Sequence, residues 1–318
     1  MDIIDIIKNT KDFQNLCEEI KKQNISKSIL LFSKDSVYAD MFSKLLALAI
    51  LNDGEIVENE NYFKVMADSH PDVKIYPQKD KLLVADSEDI VMESFIKPIF
   101  SDKKIFIIRN IDNSMESAQN KLLKVLEEPP QNVYFIITCA NSNLLLPTIK
   151  SRCNKFELAK IDQTLIEKVL NGSEDACLIS SVCDGLLGKA LEISKKDNIK
   201  EIFSLALSII TKMKSSKMVL NYSNKILAVK DDINLLIEIV CMILEDILYL
   251  KVNNGEKLHF NDYKNELNDV KDEYSIKAIC EIQNTINKAL KELSYNGNLI
   301  LIIENLLLNI LEVKYICK

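Results

Sequence analysis

The placement of proline constrains the fold of this chain more than any other feature of its sequence. All six prolines lie between residues 71 and 147, and residues 148–318 contain none. Proline lacks a backbone N–H and clashes with the preceding turn, so it interrupts helix interiors. The proline-free tract is rich in Leu, Ile, Lys and Glu, and this composition predicts helices. We therefore expect the second half of the chain to be mainly helical.

The first half has a different pattern, in which short apolar runs alternate with stretches of helical periodicity. These runs have the length of strands that are buried on both faces of a sheet. Four of them stand out, at residues 28–32, 73–76, 104–109 and 133–139. Alternating strands and helices favour a parallel sheet covered by helices on both faces, which is the α/β class.

We predict the longest helix of this half between residues 112 and 128. The Asp-Asn-Ser sequence at 112–114 offers side-chain oxygens that could cap the first turn, and Glu116 adds negative charge there. The two prolines at 129–130 would end the helix.

Length and composition indicate two or three domains. The chain has 318 residues, of which 47% are hydrophobic, enough to form a buried core in each domain. We place an α/β domain at residues 1–160, short helices with a turn near residue 185 at 161–197, and longer helices at 198–318. The C-terminal part is expected to hold five or six helices, ending in the apolar segment 299–311.

Charge, hydropathy and cysteine content exclude several classes of protein. A formal net charge of −7 gives no global basic field, which disfavours free-standing DNA binding. No apolar run approaches the roughly 18 uncharged residues of a membrane span, and the acidic amino terminus lacks the basic region of a signal peptide. The eight cysteines form no Cys-x-x-Cys pair and are expected to be reduced thiols. We expect a soluble, cytoplasmic protein.

The residues of familiar catalytic and metal sites are scarce. His70 and His259 are the only histidines, and neither lies in a Cys, His or Glu cluster of metal-ligand spacing. No Ser or Cys lies in a recognisable nucleophile motif. We therefore expect neither a metal site nor nucleophilic catalysis by Ser or Cys.

A nucleotide site is the remaining candidate, in the loop between the first predicted strand and the following helix. A Gly-x4-Gly-Lys-Ser/Thr loop uses glycines for close backbone approach, a lysine for charge and a hydroxyl for magnesium. In the best register, the chain has Lys34 and Ala39 at the glycines, Asp40 at the lysine and Met41 at the hydroxyl. An aspartate in place of that lysine would repel phosphate.

The magnesium motif is degenerate as well. The strand at 105–108 should end in Asp-Glu, which would hold magnesium and polarise water, but it is followed by Arg109 and Asn110. We expect Arg109 to pair with an acid at the strand end, in the place of the metal. The chain is therefore not expected to hydrolyse ATP by itself.

Two segments carry a family resemblance. Residues 117–130 are SAQNKLLKVLEEPP and residues 145–153 are LLPTIKSRC, with the predicted strand 133–139 between them. Together they resemble the bacterial clamp-loader AAA+ family of DNA polymerase III. For the three segments defined above, the resemblance implies a degenerate RecA-like AAA+ domain, a small helical lid domain and an all-helical collar domain for oligomerisation.

Within this family, the degenerate ATP site is similar to that of a non-catalytic subunit and unlike that of the gamma/tau motor subunits. The resemblance implies a rigid ring subunit, accessory to the polymerase, that takes part in ATP-dependent loading of the beta sliding clamp in DNA replication. Its implied partners are the gamma/tau motor subunits and the delta subunit, and indirectly the beta clamp and primed DNA. It would hold no cofactor, since ATP and Mg²⁺ belong to the partner subunits.

The same resemblance gives a role to Arg152, in the motif Ser151-Arg152-Cys153. In the family this arginine acts as a finger that enters the ATP site of a neighbouring subunit. A guanidinium is planar and always charged, so it can hold phosphate oxygens through two parallel N–H bonds where lysine cannot. Arg109 and Arg152 are the only arginines among 40 basic residues. Without the motif, Arg152 would be interpreted as an exposed cation near helix-end carbonyls.

Two departures from the family pattern concern the lid and a metal site. The lid arginine that senses nucleotide in motor subunits corresponds here to Gly188. The family usually carries a four-cysteine zinc module just before the sequence Ser69-His70-Pro71-Asp72, but residues 52–68 contain no cysteine. We expect zinc to be absent and this segment to fold by other means, with local packing from Tyr62-Phe63.

Two alternative functions remain open from the sequence. One is an AAA+-derived helical adaptor or scaffold outside replication. The other is an active AAA+ ATPase, and the missing loop glycines and lysine argue against it.

Overall fold

The computed structural model describes residues 3–78, 81–170, 173–252, 258–295 and 297–316. The chain forms two compact units, one of Met1–Asn171 with Gly185–Leu191, the other of Gly172–Asp184 with Glu192–Lys318. The division into three domains at residues 160 and 197 stays a prediction. Cys317, one of the eight cysteines, lies outside the described residues.

The first unit contains a five-stranded sheet in which every neighbouring pair of strands is parallel, in the order β2-β3-β4-β1-β5. The α/β class predicted from the sequence is confirmed. Three of the four predicted strands have the expected bounds, and the third ends one residue early, at Ile108. The strands are β1 Ser28–Phe32, β2 Val73–Tyr76, β3 Lys104–Ile108, β4 Val133–Cys139 and β5 Asn154–Glu157.

Strand β5 has no counterpart among the predicted strands. It is an edge strand that pairs only with β1, and three of its four residues are exposed. Its sequence, Asn-Lys-Phe-Glu, therefore lacks the apolar run that marks the buried strands.

Eight α-helices lie before residue 170 in the described part of the chain. The longest is α3, with 16 residues, and the helix predicted to be longest, α6, has 12. That prediction was wrong because eleven residues of α3 are buried, so its sequence lacks an amphipathic stripe. The helices are α1 Ile3–Lys8, α2 Lys11–Lys21, α3 Ser36–Leu51, α4 Glu60–Met66, α5 Val84–Ser94, α6 Glu116–Glu127, α7 Pro147–Lys150 and α8 Gln163–Val169.

The start of α6 also differs from the prediction. Met115 is its N-cap and makes no side-chain cap, while Asp112 accepts N–H groups of the segment after β4, from Ala140 at 3.2 Å and Asn141 at 2.8 Å. Asp112 therefore joins two loops at the carboxyl edge of the sheet. The end of α6 is as predicted, since Glu127 is its last residue before Glu128 and the two prolines.

A continuous apolar core lies between the sheet and helices α5 to α7. Phe106 of β3 stacks on Phe135 of β4, with ring centroids 5.3 Å apart. The same cluster holds apolar residues of α6 and of the segment that follows β4, among them Leu122, Val125, Leu126, Leu145, Ile149 and Cys153. This core fixes the backbone on both sides of Arg152.

The second unit is helical in all its described secondary structure. Six α-helices follow residue 198 within the described residues, in agreement with the five or six predicted. Helix α11 packs on α13, and α16 packs on α12 and α15. The last helix runs to Ile316, five residues further than predicted. The helices from residue 173 onward are α9 Ala176–Cys183, α10 Leu187–Ile193, α11 Ile199–Lys212, α12 Val219–Ala228, α13 Ile233–Lys251, α14 Lys264–Val270, α15 Ile276–Ser294 and α16 Leu299–Ile316.

A search of the described helices for segments with the length and hydropathy of a membrane span finds none.

Candidate functional site

The amino terminus of α3 is occupied by a carboxylate of the chain itself. Asp35 is the N-cap of this helix, and its Oδ1 accepts the N–H groups of Val37 at 3.1 Å and Tyr38 at 3.0 Å. In phosphate-binding α/β proteins, the free N–H groups of this helix terminus hold the phosphate. Here Asp35 supplies the negative charge and the acceptor oxygens that a phosphate would provide.

The second oxygen of Asp35 accepts the N–H of Gly188, at 2.8 Å. Gly188 is the position of the nucleotide-sensing arginine in the family resemblance, and it approaches α3 closely. A Cβ at this position would lie 2.6 Å from Asp35 Oδ1 and 2.8 Å from Cβ of Val37. The contact therefore requires glycine, and a longer side chain such as arginine would separate the two segments.

A cleft of about 560 Å³ opens beside Asp35, at the carboxyl ends of β1, β4 and β5. This is the place where ligands bind in open parallel sheets. Its charged lining includes Lys34, Asp35, Glu157 and Lys160. Of the other positions aligned with a phosphate loop, Ala39 is buried within α3, so the aligned residues do not form a phosphate cradle.

A group of paired charges lies where α3 approaches the end of β3. Arg109, which follows β3, donates Nε–H to Asp40 of α3, and its Nη2 lies 3.3 Å from Asp68 Oδ2. Lys44 Nζ, also on α3, lies 2.6 Å from Asp68 Oδ1 and 3.7 Å from Asp40 Oδ2. An ATPase would carry the cation on the helix and the carboxylate after the strand. This chain has the two charges reversed, and they still form a pair.

Asn110 and Met41 have no role in holding a metal in this structure. Asn110 adopts the left-handed conformation, with φ 46° and ψ 52°, and its N–H donates to Thr138 Oγ1 at 2.8 Å. It starts the short 3-10 helix Ile111–Asn113. Met41 lies on α3, and its side chain offers only a weakly accepting thioether. Within the described residues, no group of three or more His, Cys, Asp or Glu could hold a metal ion.

The segment without the zinc module folds around helix α4. Asn59 caps this helix by accepting the N–H of Tyr62 at 3.1 Å, and Val65 is buried. Tyr62 and Phe63 contact each other edge to face at 5.5 Å, but the side chain of Phe63 is 63% exposed. The packing predicted for this aromatic pair is therefore local, and Val65 anchors the helix.

The sequence Ser69-His70-Pro71-Asp72 has a structural role. Asp72 is buried, and its carboxylate accepts the N–H groups of Ile99, Phe100 and Ser101, each at 2.7 Å. Burial by itself would raise the pKa of Asp72, but these hydrogen bonds outweigh it and hold the pKa below its usual range. His70 Nδ1 accepts the N–H of Asp72. The motif thus fixes the loop between α5 and β3.

Arg152 lies just after α7 and is held from two sides. Its Nε donates to Glu127 Oε2 at 2.7 Å, and its Nη1 donates to the carbonyl of Thr148 at 3.0 Å. The side chain is 29% exposed. Cys153 is buried, and burial raises the pKa of its thiol to about 12, so this thiol remains protonated. Ser151 donates its hydroxyl to Thr148 as well.

A family model described as DNA polymerase III, delta subunit, matches residues 8–162. This range contains the sheet, the degenerate phosphate loop and the Arg152 segment. Over this range the chain is similar to that family.

Relatives with curated descriptions include a subunit of DNA polymerase III. The chain is 23% identical to the DNA polymerase III subunit delta' of Bacillus subtilis over 263 residues, which is 79% of each chain. It is 40% identical over 63 residues to an uncharacterized protein of Mycoplasma pneumoniae, covering 20% of this chain and only 25% of that one.

A solved structure shows the same fold. It is a DNA polymerase III gamma subunit-related protein of Thermotoga maritima, with a TM-score of 0.51, 18% identity and coverage of 95% of this chain and 99% of that one. The predicted fold, a parallel-sheet domain followed by helical parts, is thereby confirmed.

Three residues of the candidate site were not predicted from the sequence. Asp35 could have been found, because an Asp directly before an apolar helix is a capping signal. Asp68 and Glu127 gave no comparable signal, since their partners Arg109 and Arg152 are remote in the sequence. The structure pairs Glu127 with Arg152.

Proposed function

We propose that this chain is a non-catalytic, delta prime-type subunit of the DNA polymerase III clamp loader that acts in the cytoplasm. It assembles with gamma/tau motor subunits and a delta subunit in a ring. Arg152 completes the ATP site of a neighbouring motor subunit during loading of the beta sliding clamp at primed DNA. ATP and Mg²⁺ are held by the motor subunits, and this chain has no ATPase activity of its own.

The contrast between the segments that follow β1 and β3 and the segment that precedes β5 carries this proposal. At α3 the chain uses Asp35 where a phosphate would bind, and Asp40 with Arg109 where lysine and magnesium would lie. At Arg152, by contrast, a guanidinium is fixed by Glu127 and Thr148 and is still partly exposed. The first arrangement opposes nucleotide binding in this chain, and the second suits contact with phosphate oxygens of another subunit.

The proposal is tested by replacing Arg152 in a loader reconstituted from this chain, gamma/tau and delta. An arginine finger given in trans contributes about 10³ to 10⁵ in rate where it has been measured in GTPases. We expect Arg152→Ala and Arg152→Lys to assemble normally by gel filtration but to lose most DNA-stimulated ATP hydrolysis.

Lys150→Ala is the matched control, since it removes a cation from the same short segment and leaves the guanidinium in place. Its loader should hydrolyse ATP at the wild-type rate. A wild-type rate in both Arg152 variants would rule out the finger role, and failure of the wild-type chain to assemble would rule out the subunit role.

A further inference from the structure

The two sequence segments that carry the family resemblance meet in space at one ion pair. Glu127 is the last residue of α6, in the sequence Leu-Glu-Glu-Pro-Pro, and Arg152 lies in Ser-Arg-Cys. Their side chains form a direct bond, with Nε of Arg152 2.7 Å from Oε2 of Glu127. Resting on the proposed function, we infer that Glu127 is the positioning residue of the arginine finger.

The backbone beneath this pair is rigid on both sides. Leu126 of α6 is buried next to Glu127, and Ile149 and Cys153 on either side of Arg152 are buried in the same core cluster. Arg152 also donates its backbone N–H to the carbonyl of Ile149 at 3.0 Å. The backbone of both residues is therefore fixed by the core, and the flexible parts of this ion pair are its two side chains.

The bonding pattern leaves one edge of the guanidinium available. An arginine side chain has five N–H donors in a planar fork. Glu127 takes the Nε donor and Thr148 takes one donor of Nη1, and the described residues provide no further partner. Three donors, on Nη1 and Nη2, remain for an incoming group. Two parallel donors of this kind match two phosphate oxygens.

The environment of the pair argues against a role in folding stability. The side chain of Glu127 is 55% exposed and that of Arg152 is 29% exposed. Exposed ion pairs contribute little to stability, because solvent screens them and ordering two side chains opposes their attraction. Holding the guanidinium in one orientation before it meets phosphate has a larger effect on the rate of ATP hydrolysis. The reason is that catalytic groups held in the right geometry lower the barrier of a reaction.

Glu128 provides a matched control from the same motif. It follows Glu127 directly, is exposed, and forms no ion pair among the described residues. A substitution at Glu128 removes one negative charge from the adjacent position and leaves the ion pair between Glu127 and Arg152 in place.

The test measures DNA-stimulated ATP hydrolysis by reconstituted loaders carrying Glu127→Ala, Glu127→Gln, Glu128→Ala, Arg152→Ala or the double variant Glu127→Ala/Arg152→Ala. We expect Glu127→Ala to lower kcat about tenfold with little change in KM for ATP. Glu127→Gln retains an acceptor for Nε–H without its charge, and it should lose about threefold. Glu128→Ala should match the wild type, and all loaders should assemble equally.

The double variant separates a positioning role from a structural one. If Glu127 acts through Arg152, the double variant has the same rate as Arg152→Ala alone. A further loss in the double variant, a wild-type rate in Glu127→Ala, or a rate above wild type would each overturn the inference. If Arg152→Ala itself keeps the wild-type rate, the proposed function fails and the inference fails with it. Loss in Arg152→Ala with no loss in Glu127→Ala overturns the inference alone.

Discussion

Buried carboxylates in this chain hold loops in place by accepting backbone N–H groups. Asp72 is one of them, and it accepts three consecutive backbone N–H groups from the loop before β3. These hydrogen bonds are charge-assisted, and they are stronger than bonds between neutral groups. The loop they fix carries four exposed apolar side chains, those of Phe95, Ile96, Ile99 and Phe100.

At the residue scale, we expect Asp72→Asn to lower the free energy of unfolding by about 2 kcal/mol at pH 7. The asparagine amide would turn N–H donors toward backbone N–H groups that need acceptors. The pKa of Asp72 is lowered in the folded chain, so its carboxylate stabilises the fold above the unfolded pKa of about 3.9. This stabilisation is lost as the pH falls through the folded pKa.

Urea denaturation followed by circular dichroism at pH 7 and at pH 3 measures both effects. The difference between wild type and Asp72→Asn should shrink at the lower pH. Asp162→Asn is the control, because Asp162 caps α8 at an exposed position and its pKa is also lowered. Equal effects of the two variants at pH 7 would contradict the assigned role of Asp72.

At the scale of elements, the amino terminus of helix α3 combines a local helix cap with a tertiary contact. Its first turn is capped by Asp35, as many helices are capped, but the same carboxylate also accepts the N–H of Gly188. One side chain therefore holds the start of α3 and the segment 185–191 together. The cap signal is visible in the sequence, whereas the second acceptor contact joins residues 153 positions apart.

We expect Asp35→Ala to accelerate hydrogen exchange at both of these elements. The amides of Val37, Tyr38 and Gly188 lose their acceptor, so exchange at α3 and at residues 185–191 should rise together by roughly tenfold, the equivalent of about 1.4 kcal/mol. Amide exchange of the full chain, resolved by peptide, measures this. Asn59→Ala removes the cap of α4 and should leave residues 185–191 unchanged. Acceleration confined to α3 would show that Asp35 does not hold the second segment.

Two elements, β5 and α3, show where the sequence pattern does not suffice to predict secondary structure. Strands β1 to β4 are apolar runs and were predictable, since each is buried on both faces of the sheet. Strand β5 lies at an edge, so its side chains do not need to be apolar, and its pairing with β1 is a property of the sheet. The length of helix α3 was underestimated for the opposite reason. Most of its residues are buried, so its sequence lacks the periodic pattern of apolar and polar residues.

For the whole molecule, the internal charges at α3 and β3 predict that the chain does not bind ATP. Two anionic groups, Asp35 and Asp40, occupy the places of phosphate and of the phosphate-binding lysine. Isothermal titration of the full chain with ATP and Mg²⁺ should give no binding at concentrations up to about 1 mM. A gamma/tau motor subunit titrated in the same buffer is the positive control. Micromolar binding to this chain would contradict both the site description and the proposed function.

The sequence by itself determined the parallel α/β first half, the helical second half and the loss of a phosphate-binding loop. These follow from local features, namely proline placement, apolar runs and the residue types at consecutive positions. The tertiary structure decided which charges meet: Asp35 with Gly188, Asp40 with Arg109, and Glu127 with Arg152. The physical reason is distance along the chain. Partners 25 to 153 residues apart leave no periodic or adjacent signal, and only the folded sheet and helices bring them within hydrogen-bonding range.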